Sequence, residues 1–197
     1  MSWKDNVDRS FQTIQEMLID RKILNDTELE ILQSLSKNEL ASFTKQQQVF
    51  NIDIGNAVRI IYYLQPFKMP DFKTYIEDTD FDLYIVIYKK LTTNNIIGIQ
   101  EFQSKLEKPI TMQFFKIEEV LFNLTKHILV PKHEVITDDT EIENICKANN
   151  IKNRHHLPLL RETDAVAKYY GMKPGNVAKI TRVSPSAGEY TVYRCCV

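Results

Sequence analysis

A chain of 197 residues is long enough for one large domain or two small ones, and 43% hydrophobic against 26% charged residues is the balance of a folded protein. Its net charge of −1 excludes a strongly basic protein that coats nucleic acid through bulk electrostatics, and no apolar run nears the roughly 18 residues of a membrane span. The opening residues Met1-Ser2-Trp3-Lys4-Asp5 lack the apolar core of a secretion signal, and three cysteines make no disulfide framework, so a reducing compartment is expected.

In chain order, Ser2 is placed to cap a helix whose apolar stripe is Trp3, Val7, Phe11, Ile14 and Leu18, at spacings of three and four. Asn25 or Asp26 caps a second, with Leu29, Leu32, Leu35 or Ser36, and Leu40 on one side. The period then changes. Val58 to Leu64 and Phe81 to Tyr88 are near-continuous Ile, Val and Tyr, the pattern of strands covered on both faces. Thr92 or Thr93 caps a helix running toward Leu106, and Ile110 to Phe115 is again a strand. Pro66, Pro70 and Pro109 fall between these elements. Two helices followed by strand, strand, helix, strand describe an α/β domain over residues 1–120.

Residues 121–197 read as a smaller α+β domain. His133 to Thr137 is a short strand after the break at Val130-Pro131, and Thr137 or Asp138 starts a helix bearing Ile142, Ile145 and Cys146. Leu157-Pro158 marks a turn into a helix from about Thr163 to Tyr170, closed by Gly171. Lys173-Pro174-Gly175-Asn176 has the composition of a type II turn. Val177 to Val183 and Glu189 to Cys196 then form a terminal β-hairpin across Ser184-Pro185-Ser186-Ala187-Gly188. Charge follows the same division: acidic side chains outnumber basic ones before residue 127, and basic ones outnumber acidic ones from Lys152 onward.

Catalytic chemistry is hard to assemble from this chain. It has no phosphate-binding glycine loop, no G-x-G-x-x-G, no H-E-x-x-H and no C-x-x-C. His127, His133, His155, His156 and Cys146 fit no standard zinc spacing, so no metal and no cofactor is expected. Cys195-Cys196 is a vicinal pair on a strand, its side chains on opposite faces, with one expected in the core and the other at an edge. Pro70-Asp71-Phe72-Lys73 has the look of a restriction-type nuclease element, but no second Asp/Glu-x-Lys follows and Asp80 and Asp82 have no lysine two residues on. An enzyme is not expected.

The segment Asn123-Leu-Thr-Lys-His-Ile-Leu-Val-Pro-Lys-His-Glu-Val-Ile-Thr137 follows the pattern N-x-T-x-H-x-L-V-P-x-H-x-x-x-T. Leu157-Pro158, Asp164 to Gly175, Val177 to Arg182 and Ser184 to Arg194 continue it in register. Over about residues 118–197 the chain thereby resembles the fifth common subunit of eukaryotic-type DNA-directed RNA polymerases I, II and III, a family with an archaeal counterpart. It departs from that family at Ala165, where proline is usual, at Lys168, where arginine is usual, and at Pro174, where a basic residue is common. The N-terminal half matches loosely, through Trp3, Glu16 to Arg21 and Thr92-Thr93, a divergence expected of a large DNA virus or an early-branching eukaryote.

The resemblance implies a restriction-endonuclease-like but noncatalytic N-terminal jaw near downstream DNA, and a C-terminal assembly domain docked on the largest polymerase subunit. It implies a place in the nucleus for a cellular enzyme, or in host cytoplasm or virion for a viral one. Contact with the downstream duplex would be weak and sequence-independent, made to phosphates. The side chains expected to meet the largest subunit are Asp164, Lys168, Tyr169, Arg182, Tyr190, Tyr193 and Arg194, and the structural turns are Pro131, Gly171, Gly175 and Gly188. Tyr and Arg on a terminal hairpin are a composition favoured in interfaces. A free-standing transcription regulator that binds polymerase through the same domain is the alternative. Neither reading involves a membrane.

Overall fold

The computed structural model describes residues 3–34, 49–76, 81–106, 110–186 and 188–197. The side chains of Trp3 and Lys4, and the stripe positions Leu35, Ser36 and Leu40, lie outside the described residues, as do Pro109 and Ala187. The chain divides into two compact units, Met1–Phe122 and Asn123–Val197.

The first unit runs α1 (Trp3–Arg21), α2 (Asp26–Ser34), β1 (Val49–Ile54), β2 (Val58–Tyr63), α3 (Met69–Thr74), β3 (Leu83–Tyr88), α4 (Thr93–Lys105) and β4 (Thr111–Lys116). Its sheet has the order β1-β2-β3-β4; β1 pairs antiparallel with β2, while β2, β3 and β4 run parallel through crossovers that contain α3 and α4. Parallel strands sit between layers, which is why Ile60 to Tyr63 and Tyr84 to Ile87 are buried throughout. On one face, Ile61, Tyr63, Tyr84 and Val86 pack with Phe72, Ile99 and Phe102 from α3 and α4. On the other, the Ser10 hydroxyl of α1 meets the Tyr62 hydroxyl at 3.1 Å, and Tyr62 stacks on Phe50 with ring centroids 4.8 Å apart. Val7, Phe11, Ile14, Met17 and Leu18 are buried along α1, so the stripe read from the sequence also includes Met17.

Two local details differ from expectation, and a third decides between two caps. β1 is an additional strand: Asn51 and Asp53 alternate with the buried Ile52 and Ile54, and Gly55 turns the chain back into β2. Pro70 lies in the first turn of α3 rather than between elements, a position where its missing N–H costs nothing. The start of α2 belongs to Asn25, whose Oδ1 accepts from Glu28 N at 2.9 Å while the Glu28 carboxylate accepts from Asn25 N at 2.9 Å. Gly55 packs against that buried cap; with φ +55°, a Cβ there would stand 2.8 Å from Glu28 Cγ.

The second unit contains β5 (Lys132–Ile136), α5 (Asp139–Ala148), β6 (Leu159–Leu160), α6 (Ala165–Tyr170), β7 (Val177–Ser184) and β8 (Gly188–Cys196). The sheet order is β5-β7-β8-β6, with β7 antiparallel to both β5 and β8, and β6 parallel to β8. Leu157-Pro158 leads first into β6 and only then, through Asp164, into α6. Both faces of the sheet are covered at its base. Ile136, Val177 and Cys195 pack with Ile142 and Cys146 of α5, whereas Ala178, Ile180 and Cys196 pack with Ala167 of α6 and with Met172. The vicinal cysteines therefore each enter a core, and neither is an edge residue. Burial pushes both thiols up, away from the nucleophilic thiolate.

Candidate functional site

Asp164 works locally: its Oδ1 accepts from Val166 N at 2.9 Å and Ala167 N at 3.4 Å, capping α6. At the other end Gly171 takes φ +64°, and Met172 N reaches back to Ala167 O at 3.0 Å. Gly175 (φ +94°) closes the Lys173–Asn176 turn; its N–H donates to Cys196 O at 3.0 Å, and Asn176 N donates to Lys173 O at 3.0 Å. A residue without any motif holds this turn. Arg154 donates to Gly175 O at 3.1 Å and to the Asp139 carboxylate at 2.6 Å, joining the turn to the start of α5.

Tyr169 is 3% exposed, with its ring edge-on to Tyr170 and its hydroxyl accepting from Asn123 Nδ2 at 2.9 Å. It is a core side chain and leaves the set that a partner can reach. Asn123 also accepts from Thr125 N and Thr125 Oγ1, at 2.9 and 2.6 Å, so the N-x-T pattern is a knot that anchors the start of the unit to α6. Pro131 O accepts from His133 Nδ1 at 2.7 Å, and His127 Nδ1 accepts from Leu129 N at 3.2 Å. The other two histidines, His155 and His156, are exposed in a short 3-10 turn. Among the described residues no group of three or more His, Cys, Asp or Glu side chains is arranged to hold a metal.

The register sorts the remaining candidates between the two sheet faces. Tyr193 stands opposite Lys179 on the α5 face, half-buried against the Ile136–Cys195 cluster. The same face carries Lys132, Glu134 and Lys179; the Glu134 carboxylate lies 2.7 Å from Lys132 Nζ and 3.1 Å from Lys179 Nζ. These two amines hold the Glu134 carboxyl below its usual range, and Glu134 in turn raises Lys132.

On the α6 face, Arg182 stands directly opposite Tyr190, and Arg194 opposite Ala178. Arg194 donates to Leu159 O at 3.1 Å, bridging to the edge strand β6. Arg182 Nε is buried and meets no acceptor among the described residues. Tyr190 is 39% exposed at the outer part of the hairpin, and Gly188 (φ +67°) ends it with open space around it. Lys168 is half-buried on α6, the helix that covers this face. The structure thus gathers Arg182, Tyr190 and Arg194 on one face, turns Tyr193 to the other, and assigns Asp164 and Tyr169 to the fold. Arg154 and Asn123 are not among the candidate site residues named from the sequence. Asn123 is marked there by its motif, whereas Arg154 carries no spacing signal because its partners are distant in sequence.

A family model described as RNA polymerase Rpb5, C-terminal domain, matches residues 122–196. The archaeal DNA-directed RNA polymerase subunit Rpo5 of Archaeoglobus fulgidus is 45% identical over 76 residues, 39% of this chain and 97% of the relative. The DNA-directed RNA polymerases I, II, and III subunit rpabc1 of Dictyostelium discoideum is 38% identical over 113 residues, 57% of this chain and 55% of the relative. Subunit 5C of DNA-directed RNA polymerase V of Arabidopsis thaliana is 37% identical over 89 residues, 45% of this chain and 37% of the relative. The chain spans about half or less of the length of these two eukaryotic relatives.

Proposed function

Because the chain belongs to the family of the fifth common subunit of DNA-directed RNA polymerases, we propose that it is a noncatalytic subunit of a multisubunit DNA-dependent RNA polymerase. One observation carries the reading: the family match over residues 122–196 coincides with the compact unit Asn123–Val197. The matched residues are a folding unit with its own caps, turns and two cores. In this reading that unit is the assembly domain, docking on the largest subunit through its hairpin and the α6 face. Arg and Tyr at the outer part of a half-covered sheet supply amphipathic contact area of the kind that anchors interfaces.

The unit Met1–Phe122 is the jaw in the same reading, lying near downstream duplex. Its α/β sheet between helices is compatible with the restriction-endonuclease-like architecture that the resemblance implies. Acidic side chains outnumber basic ones there, so contact with DNA is made to phosphates by scattered lysines and arginines, and the free chain binds duplex weakly. In a eukaryotic cell the subunit works in the nucleus.

Affinity purification of the tagged full-length chain from its native cell, with quantitative mass spectrometry, tests the role. The expected result is recovery of the largest subunit and the chain in equal amounts. Recovery of the chain alone, or in a small and condition-dependent fraction of polymerase, contradicts a core subunit and favours a regulator. Tight, sequence-specific binding of duplex DNA by the free chain would contradict the jaw.

A further inference from the structure

We propose that Arg182 is the receptor for an acidic side chain of the partner polymerase subunit, which it holds against Tyr190 on the α6 face of the hairpin; the inference rests on the docking reading above. The charge pattern of the sheet leads to it. On the α5 face the basic side chains Lys132 and Lys179 share Glu134 at 2.7 and 3.1 Å, so that face neutralises itself. On the α6 face the strand residues in register are His133, Val135, Ala178, Ile180, Arg182, Ser184, Gly188, Tyr190, Val192 and Arg194, without a carboxylate among them. Arg194 satisfies part of its fork on Leu159 O, and Asp164, the acidic residue at the start of α6, is engaged in that helix's cap. Arg182 has neither arrangement.

A guanidinium offers five N–H donors in a planar fork and cannot shed its charge. Burying its Nε without an acceptor is costly in the free chain, and an anion that presents two oxygens to the fork removes the cost. Two classes of anion satisfy that chemistry, and the surroundings favour a protein carboxylate over a phosphate. Arg182 is half-buried, Tyr190 faces it across the hairpin, and Val192 stands diagonally beside it on the same face. Aromatic and aliphatic side chains around an arginine whose Nε is shielded from water suit a desolvated protein interface. Sequence-independent DNA contact is instead made by charges that stay in water.

The test uses the full-length chain incorporated into the native polymerase. Arg182→Gln should lower incorporation by about tenfold or more in competition with the parent, while the melting temperature of the free chain does not fall, because the fork has no internal acceptor to lose. Arg182→Lys should recover part of the incorporation. The amine it introduces should also be joined by a zero-length carbodiimide reagent to an Asp or Glu of another subunit, forming an amide that peptide mass spectrometry locates. Incorporation of Arg182→Gln at the parental level, or no cross-link from that amine to an acidic side chain of another subunit, overturns the proposal. If Arg182→Gln weakens retention of duplex DNA by the assembled enzyme while the subunit remains fully bound, the anion is a phosphate and the proposal fails. Failure of the parent chain itself to enter the complex overturns the polymerase reading, and this proposal with it.

Discussion

In the N-terminal sheet Arg59 leaves β2 beside Asp53 of β1, its Nε 2.7 Å from one carboxylate oxygen and a terminal nitrogen 2.6 Å from the other. A second terminal nitrogen donates to Tyr75 O at 2.9 Å, and the fork lies 4.5 Å from the Phe81 ring centroid. In the C-terminal sheet Arg182 also leaves a strand whose cross-strand partners are known, yet its buried Nε has no acceptor among the described residues. One guanidinium is satisfied within its own unit, and the other keeps a buried Nε without an acceptor there. Unsatisfied polar groups are expensive, so where a fold tolerates one, a binding site is a reasonable place to look. The same contrast separates the two units: one is sealed by helices on both faces, while the other is covered only at its base and extends a hairpin past its core.

The sharpest way to break this comparison starts with its turns. Gly55 and Gly175 both have positive φ, but only Gly55 faces a crowded cap, with Glu28 atoms 2.8 and 2.9 Å from where a Cβ would sit; at Gly175 the nearest atom is 3.7 Å away. Gly55→Ala should cost about 2–4 kcal/mol, strain plus overpacking, and Gly175→Ala about 1–2 kcal/mol from the backbone alone. Denaturant melts of the two variants check the order, and equal losses would mean that the α2 cap is not rigid.

Next come the arginines. Arg59→Met should destabilise the free chain by about 2–3 kcal/mol, less than a fully buried pair because Asp53 reaches solvent. Arg182→Met should not destabilise it, because the buried Nε has no internal partner to lose. Similar losses for both would show that Arg182 supports the fold instead of awaiting a partner. The smallest effect is at Glu134, an exposed carboxylate whose pKa is lowered by Lys132 and Lys179. A depressed folded-state pKa gives stability that is present above the usual carboxylate range and lost as pH falls through the folded value. Glu134→Gln should therefore melt lower than the parent at neutral pH, and the gap should close in acid. A gap that persists unchanged at low pH would make the role of Glu134 steric.

Much of this architecture was legible where hydrophobic period and capping chemistry agree. The α1 stripe, the continuous apolar runs of β2 and β3, the Thr92 cap of α4 and the Gly171 stop of α6 each follow from local rules. β1 was missed although Asn51-Ile52-Asp53-Ile54 alternates and Gly55-Asn56 supplies a turn, because a half-polar edge strand gives a weak signal beside its continuous neighbours. The two cores that take Cys195 and Cys196 depend on which helix covers which face, a tertiary fact that strand alternation alone does not contain. For the candidate site, the sequence pointed to the hairpin residues but could not separate them. Tyr169 and Tyr193 have the same chemistry as Tyr190, and only burial and register distinguish core ring, core flank and exposed ring.

The central claim is that the unit Asn123–Val197 is held by a much larger protein. Native mass spectrometry of the polymerase isolated through its largest subunit tests this directly. The account predicts a complex whose mass includes one copy of this chain and which loses it when the hairpin face is altered at Arg182. A polymerase of full subunit complement without the chain, with the chain recovered separately as a free monomer, would contradict it.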